Sequence, residues 1–417
     1  MNLHLIHDAV FLNDYIDLLT EAGRDEDNHF YVYLSFSDKK KEYKYLLKEK
    51  MNKVKLIELE LDQLHLVANS YEKVFIHFMD DKLLDFISKL GKKVKLYWCT
   101  WGSDFHCPDE IFYNVLFDPK SKAYFEEELK KPILEFIQKN PAQSFVKKMF
   151  YKMAHTFIPE YRIKRALIQQ RFEWDKYLKR KADVFKRVDY ILNYGIEDYE
   201  FVKKHYKINP SYLPFFYTTF KSSEADPGQS NLLKKHNIGN EHKIVFIGNC
   251  AEPHNNHLDL LPLLVKLKIQ VPNVRFVVPL SYGNKDYTTH ICNRYTKELG
   301  QNFQPIVDYI DDKEDYYRLL NSIDIMIMNH NINMGGTNLF KAIFYGKKVY
   351  AKKNSPLVKH LVRNGVILNY VEDTVNSDLS DFFTPLSNEQ VDNNKTAILS
   401  VFSSDKARDN LNIVYQN

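Results

Sequence analysis

The sequence predicts an α/β protein built as two doubly wound parallel-sheet domains facing a cleft, and three observations lead there. Short runs rich in Val, Ile, Leu, Phe and Tyr alternate with segments whose apolar residues recur at helical spacing, the pattern of strands joined by crossover helices. The runs are almost continuously apolar, as strands buried on both faces must be. The alternation also occurs twice, and 417 residues exceed what one ordinary core serves.

The elements follow in order. "LHLIH" (3–7), "HFYVYLS" (29–35), "VKLIEL" (54–59), "KVFIHF" (73–78) and "KVKLYWCT" (93–100) read as strands, with helices such as "FLNDYIDLLTEA" and "DKLLDFISKLG" between them. From about 109 to 187 strand signals fade, and Pro119, Pro132, Pro141 and Pro159 cut the chain into helix-length pieces, which predicts a helical insertion in the first domain. "VDYILN" (188–193) then returns to the sheet, followed by a helix from near Gly195. The Pro, Ser and Gly content of 208–235 predicts a linker. The second domain, 236–417, has strand candidates at "KIVFIG" (243–248), "VRFVVPL" (274–280), "IDIMIM" (323–328), "KKVYAK" (347–352) and "VILNY" (366–370), and a helical tail from about Asn388. The first domain is expected to span 1–207. Both are Rossmann-like.

Composition excludes several classes. With 44% hydrophobic and 27% charged residues the chain is neither disordered nor fibrous. No run of about 18 apolar residues occurs, so no spanning helix is expected. "MNLHLIHDAV" lacks the basic start and apolar core of a signal peptide. Cys99, Cys107, Cys250 and Cys292 have neither metal-type spacing nor the density of a disulfide framework, which favours a reducing compartment and a cytoplasmic protein. The net charge of +4 hides an asymmetry: 119–190 carries 18 Lys/Arg against 9 Asp/Glu, a net of +9, leaving −5 elsewhere. Within it, "FVKKMFYKMAHTFIPEYRIKRALIQQRF" (145–172) sets large apolar residues among Lys and Arg. That suits an interfacial helix on anionic lipid, and equally a solvated face packed on its own domain. No nucleic-acid-binding motif accompanies it.

Ligands of open α/β sheets bind beyond the carboxyl ends of strands, and four strand-end stretches carry candidate chemistry. In "VFIGNCAEPHNNHLDLL" (245–261), Gly248 permits close backbone approach, Asn249, Asn256 and His257 are polar, and a helix N-terminus offers free N–H groups to an anion. The alternative is an ordinary turn capped by an Asn. "VVPLSYGNKDY" (277–287) places Pro279 at a strand end and Tyr282 in a polar loop, or is simply a turn. "NHNINMGGTNLFKAIFYGKK" (329–348) joins a buried strand to a helix through Gly335 and Gly336, with Thr337 and Asn338 as side-chain donors toward a diphosphate. Gly336 is expected to make the turn. "YWCTWGSDFHCP" (97–108) gathers Trp101, Gly102, Asp104 and His106, where aromatic faces would pack on sugar rings and Asp104 would take a proton from a hydroxyl or merely stabilise the loop. His7 and His77, at other strand ends, line the same region or are core histidines.

Together these stretches resemble glycosyltransferase family 56. "WGSDF" matches in the first domain. "GNCAEPHNNH" resembles the family's G-N-S followed by N-x-H, with Cys250 in the serine position, and "VVPLSYGN" resembles its V-V-P-x-x-Y. The layout of "DYYRLLNSIDIMIMNHNINMGGTNLFKAIFYGKKV" agrees too, and the likeness is fullest from Ile244 to Leu361. The resemblance implies a GT-B fold and a transferase moving a deoxyamino sugar or a fucose-type sugar from a nucleotide-diphosphate donor, dTDP-Fuc4NAc for the named activity, to a polyprenyl-diphosphate-linked glycan in bacterial surface polysaccharide synthesis. It implies donor contacts from Gly248, Asn249, Asn256, His257, Pro279, Tyr282, Gly335, Gly336, Thr337 and Asn338. On the acceptor side Trp101, Gly102 and His106 are expected, with His7 and His77 added from their strand-end positions and Asp104 as base or orienting group. Neither cofactor nor metal is implied, in keeping with the lack of a DxD pair after a strand. The expected location is peripheral, on the inner face of a bacterial cytoplasmic membrane. Nucleotide-sugar epimerases and non-catalytic binding proteins share the two-domain shape and are the rival readings.

Overall fold

The structure, a computed structural model, describes residues 1–9, 11–24, 27–33, 43, 46–57, 61–102, 104–105, 115–128, 174–217, 230–374 and 378–417. The chain forms two compact units, one of Met1–Cys107, Leu178–Glu224 and Thr396–Asn417, the other of Pro108–Tyr177 and Ala225–Lys395.

The first unit holds a seven-stranded parallel sheet. Its strands are β1 (Asn2–His7), β2 (Asn28–Tyr33), β3 (Lys55–Leu56), β4 (Lys73–His77), β5 (Lys95–Cys99), β6 (Tyr190–Asn193) and β7 (Ser211–Pro214), in the order β3-β2-β1-β4-β5-β6-β7. Leu3, Leu5, Val74, Ile76, Leu96 and Trp98 are fully buried, so the central strands are covered on both sides as their unbroken apolar character demands. Helix Phe11–Glu21 contributes Leu12, Tyr15, Ile16, Leu18 and Leu19 at helical spacing. Each buried Leu or Ile of this kind is worth about 1.5–3 kcal/mol.

The second unit holds a six-stranded parallel sheet of β8 (Lys243–Ile247), β9 (Val274–Pro279), β10 (Phe303–Ile306), β11 (Ile325–Met328), β12 (Lys348–Ala351) and β13 (Asn369–Tyr370), in the order β10-β9-β8-β11-β12-β13. Val245, Ile247, Phe276, Val278, Ile325 and Ile327 form its core with Leu264, Leu267, Tyr287 and Tyr295 from flanking helices.

The chain divides differently from the expected boundaries in three places. β7 is a sheet strand inside the stretch expected to be linker. Residues 115–128 pack in the second unit, where the Lys120 and Ser121 N–H groups donate to Asp259. The last helix, Ser404–Gln416, belongs to the first unit: the Tyr415 hydroxyl donates to Asn28 Oδ1 at 2.6 Å, and Lys73 Nζ donates to the Tyr415 carbonyl at 2.8 Å. Of the basic aromatic segment 145–172, nothing lies within the described residues.

Candidate functional site

Strand order reverses once in each sheet, between β1 and β4 in the first unit and between β8 and β11 in the second. The carboxyl ends of strands at such a reversal are where an open α/β sheet binds ligands.

In the second unit, three loops meet there. After β8 the chain turns at Gly248 with φ +70°. A Cβ at that position would stand 2.8 Å from His257 Nε2 and 2.9 Å from Asn255 Oδ1, so only glycine fits. Asn255 Oδ1 accepts from the Asn249 N–H at 3.1 Å, and its amide donates to Cys250 Sγ at 3.3 Å. Burial pushes the Cys250 thiol up to about 12, so it stays neutral and accepts, as a serine hydroxyl would. The loop after β9 is tied on by the Ala251 N–H donating to the Tyr282 carbonyl at 2.8 Å, and Asn249 Nδ2 donates to the Tyr282 hydroxyl at 3.3 Å. The loop after β11 is held by a reciprocal pair: Asn256 Nδ2 donates to the Asn329 carbonyl at 3.1 Å, and Asn329 Nδ2 to the Asn256 carbonyl at 3.0 Å.

Gly335 makes the turn into helix Gly336–Phe344, with φ +63° and no side chain capping the helix. Its α-carbon lies against Asn249, whose Cβ would be 3.2 Å from an added methyl. The uncapped first turn therefore stands at the same spot as the β8 loop. Gly336 has an ordinary backbone, contrary to the expectation that it makes the turn. Asn338 hydrogen-bonds Tyr316, and Thr337 is exposed.

Four buried polar atoms at these loops have no hydrogen-bond partner among the described residues: Asn249 Oδ1, His257 Nε2, Asn329 Oδ1 and His330 Nε2. Each such atom costs about 1–3 kcal/mol, and natural structures rarely concentrate them without a function. Burial lowers His257 and His330 to about 3, so both imidazoles are neutral near pH 7. Asn256, by contrast, spends its whole amide within the protein, accepting from the Asp118 N–H at 2.8 Å and donating to the Leu116 carbonyl at 3.2 Å. Asp118 also holds Lys352 Nζ at 2.7 Å and accepts from Asn331 Nδ2 at 3.2 Å. Pro279 is buried at the end of β9, level with Ile306 on β10.

In the first unit, His7 ends β1 level with Tyr33 on β2, their rings 4.0 Å apart. Its Nε2 lies 3.4 Å from Asp80 Oδ2, across the reversal point. His7 holds the Asp80 carboxyl below its ordinary range, against the opposing effect of burial. Phe78, two residues earlier, has φ +78°, a region that aromatic residues seldom adopt. Its carbonyl accepts from the Tyr33 hydroxyl at 3.2 Å and from the Asp80 N–H at 2.9 Å. Phe11, Trp101 and Tyr217 extend this partly exposed aromatic floor, with Phe11 edge-on to Trp101 at 4.4 Å.

Asp104 is buried and its carboxylate accepts four hydrogen bonds. Oδ1 takes the Trp101 and Gly102 N–H groups at 3.1 and 3.0 Å, and Oδ2 takes Trp98 Nε1 and the Met79 N–H at 2.7 and 3.2 Å. Burial raises its pKa while these donors pull it down. Both oxygens are engaged in shaping the loop, the alternative already open from sequence. His77 is fully buried, a core histidine and not a lining residue. Trp101 Nε1 donates to the Tyr217 hydroxyl at 3.0 Å, which donates to His77 Nδ1 at 2.7 Å; His77 Nε2 meets His4 Nδ1 at 2.9 Å, and His4 Nε2 meets Asn28 Oδ1 at 2.9 Å. Because an amide oxygen only accepts, His4 carries its proton on Nε2, and so does His77. His106 lies outside the described residues.

The strand-end rule thus brings Gly248, Asn249, His257, Tyr282 and Gly335 together, and in the other unit His7 and Trp101. It missed Asp80, Asn329, His330 and Asp118. The first three were within its reach, since each follows a strand. Asp118 comes from a distant segment and gave no signal.

Comparison with known proteins agrees with this architecture. The model of the family described as 4-alpha-L-fucosyltransferase, glycosyl transferase group 56, matches residues 163–414. No curated protein sequence matches. Among solved structures, Anabaena HepE in complex with UDP and glucose is 11% identical, with a TM-score of 0.63 over 100% of this chain and 99% of its own. A glycosyltransferase from Rickettsia africae is 12% identical, TM-score 0.61, over 100% and 97%. Sucrose-phosphate synthase from Thermosynechococcus elongatus is 10% identical, TM-score 0.58, over 100% and 98%. At such identities the likeness is one of fold, GT-B. Because the family model covers more than half of the sequence, including every loop of the second unit's reversal point, the chain belongs to glycosyltransferase group 56 and is a glycosyltransferase.

Proposed function

We propose that the enzyme moves a fucose-type sugar, deoxyamino or plain, from a nucleotide-diphosphate donor to a polyprenyl-diphosphate-linked glycan in bacterial surface polysaccharide synthesis. The observation carrying this is the cluster of buried atoms without a partner among the described residues, at Asn249, His257, Asn329 and His330, set between Gly248 and the uncapped helix after Gly335. A diphosphate fits the free N–H groups and positive dipole end of that helix. Those same groups would take up the charge that develops on the leaving diphosphate. Ribose and sugar hydroxyls supply donors for the Asn oxygens. The family's 4-alpha-L-fucosyltransferase description supports the fucose-type sugar, and the UDP and glucose bound to HepE support a nucleotide sugar.

The acceptor belongs, in this reading, to the aromatic floor of the first unit, where His7, Tyr33 and Trp101 present faces and edges to a sugar ring. Asp104 shapes that floor and does not touch the reacting atoms. No helix among the described residues is long and apolar enough to cross a membrane. A lipid-linked acceptor therefore suits surface attachment through the basic aromatic segment 145–172, each basic residue near anionic lipid being worth about 1 kcal/mol.

The test is incubation of the protein with radiolabelled dTDP-, UDP- and GDP-linked deoxy sugars and bacterial membrane lipid extract. Label entering the lipid fraction is the expected result, and none from any donor sinks the reading. Co-sedimentation with phosphatidylglycerol vesicles, lost in neutral vesicles or high salt, is expected for the anchor.

A further inference from the structure

We infer that His7 is the general base of the transfer and that Asp80 positions it; the inference rests on the glycosyl-transfer reading above. His7 Nε2 faces Asp80 Oδ2 at 3.4 Å, while Nδ1 has no hydrogen-bond partner among the described residues, and the side chain is 18% exposed. That is the arrangement a base needs: one nitrogen held by a carboxylate, which fixes the tautomer, and the other open to a reacting hydroxyl.

Asp80 is itself held. Its Oδ1 accepts from the Lys82 N–H at 2.9 Å, leaving Oδ2 for His7, and its N–H is tied to the carbonyl of Phe78. The left-handed backbone of Phe78 aims this turn, and the Tyr33 hydroxyl secures it through the same carbonyl. Unfavourable backbone of this sort persists where surrounding structure imposes it, commonly at functional sites. The dyad also spans β1 and β4, the reversal point of its sheet, and the rings of Tyr33, Phe78 and Trp101 surround His7 at 4.0, 5.3 and 6.2 Å. Among the described residues of the WGSDF loop Asp104 is no rival base, since both its oxygens are taken by N–H donors.

In the step, the acceptor hydroxyl gives its proton to His7 Nδ1 as its oxygen bonds to the anomeric carbon of the donor sugar. The bond from that carbon to the diphosphate oxygen breaks, and its electron pair leaves with the nucleoside diphosphate. Asp80 stabilises the imidazolium without taking its proton. One displacement of this kind inverts the anomeric configuration.

The experiment uses the full chain with whichever labelled nucleotide sugar the wild-type protein transfers to membrane lipid. His7→Ala should lower kcat by about 10²- to 10⁴-fold, with the nucleotide's affinity by calorimetry unchanged, and added imidazole should restore part of the loss. Asp80→Asn should lower kcat roughly tenfold or more with little change in the acceptor KM, and Asp80→Glu should recover part of it. If His7→Ala does not fold, Asp80→Asn, an isosteric change, carries the test. Undiminished kcat in a folded variant of either residue overturns the dyad, as does a product of retained configuration. Absence of transfer by the wild-type protein instead overturns the glycosyl-transfer reading and the dyad with it.

Discussion

Adjacent glycines at 335 and 336 show how much a single residue type conceals. From sequence both served a turn before a helix, but only Gly335 is left-handed, and a methyl there would meet Met328 Cε at 2.6 Å and crowd Asn249. Gly336 sits in the helix with the Phe340 ring 3.3 Å from an added methyl. Gly335→Ala should therefore cost about 1–2 kcal/mol in urea unfolding and weaken nucleotide binding. Gly336→Ala should lie within about 1 kcal/mol of wild type, as helix propensity offsets slight crowding. Equal effects at both positions would refute the assignment of the turn. Asp104 teaches a similar lesson: a carboxylate beside tryptophans reads as catalytic, while its four N–H donors mark an organiser. Asp104→Asn turns an amide donor toward one pair of those N–H groups. It should lower stability by about 2–3 kcal/mol in chemical denaturation, and full stability with lost kcat would contradict this role.

At the scale of elements, the strands with continuous apolar runs were legible and two others were not. β7 ends in Pro214, and β10 contains Pro305. Both are edge strands, where a missing N–H is tolerated, and proline demotes just such strands in a sequence reading. The segment 115–128 was illegible for another reason. Its place is set by side chains distant in sequence, Asn256 and Asp259, and no local pattern encodes that pairing. Asn256→Ala strips the amide that accepts from Asp118 and donates to the Leu116 and Asn329 carbonyls. Amides of 120–128 should then exchange hydrogen at least about tenfold faster, matching about 1.4 kcal/mol of lost local stability. Unchanged protection there, with the variant folded, would show that other contacts hold the segment.

Across the whole molecule, the fold class was written in alternating patterns, whereas the histidine chemistry was not, because burial decides it. His4 and His77 sit in the core of the first unit, and His257 and His330 lie buried at the reversal point of the second. Burial lowers His4, His257 and His330 to about 3 and His77 well below the ordinary 6.5. The sign follows from where protons bind. Below pH 6.5 the unfolded chain takes up protons on these four residues and the folded chain does not, so acid favours unfolding. The stability is complete above about pH 7 and is lost progressively as pH falls from 6.5 toward about 3. Each histidine contributes at most about 1.4 kcal/mol for every pH unit below 6.5. Both units carry such residues, so both should weaken, which a single titrating surface site would not produce. Urea unfolding followed by circular dichroism at pH 7.5, 6.5 and 5.5 should show midpoints that barely move between the first two and drop by the third. His77→Phe removes one titrating group, at the cost of unpairing Tyr217 and His4, and should flatten the slope while lowering stability at pH 7.5. A midpoint unchanged between pH 7.5 and 5.5 would mean that these imidazoles are protonated in the folded protein, and would refute the neutral buried histidines.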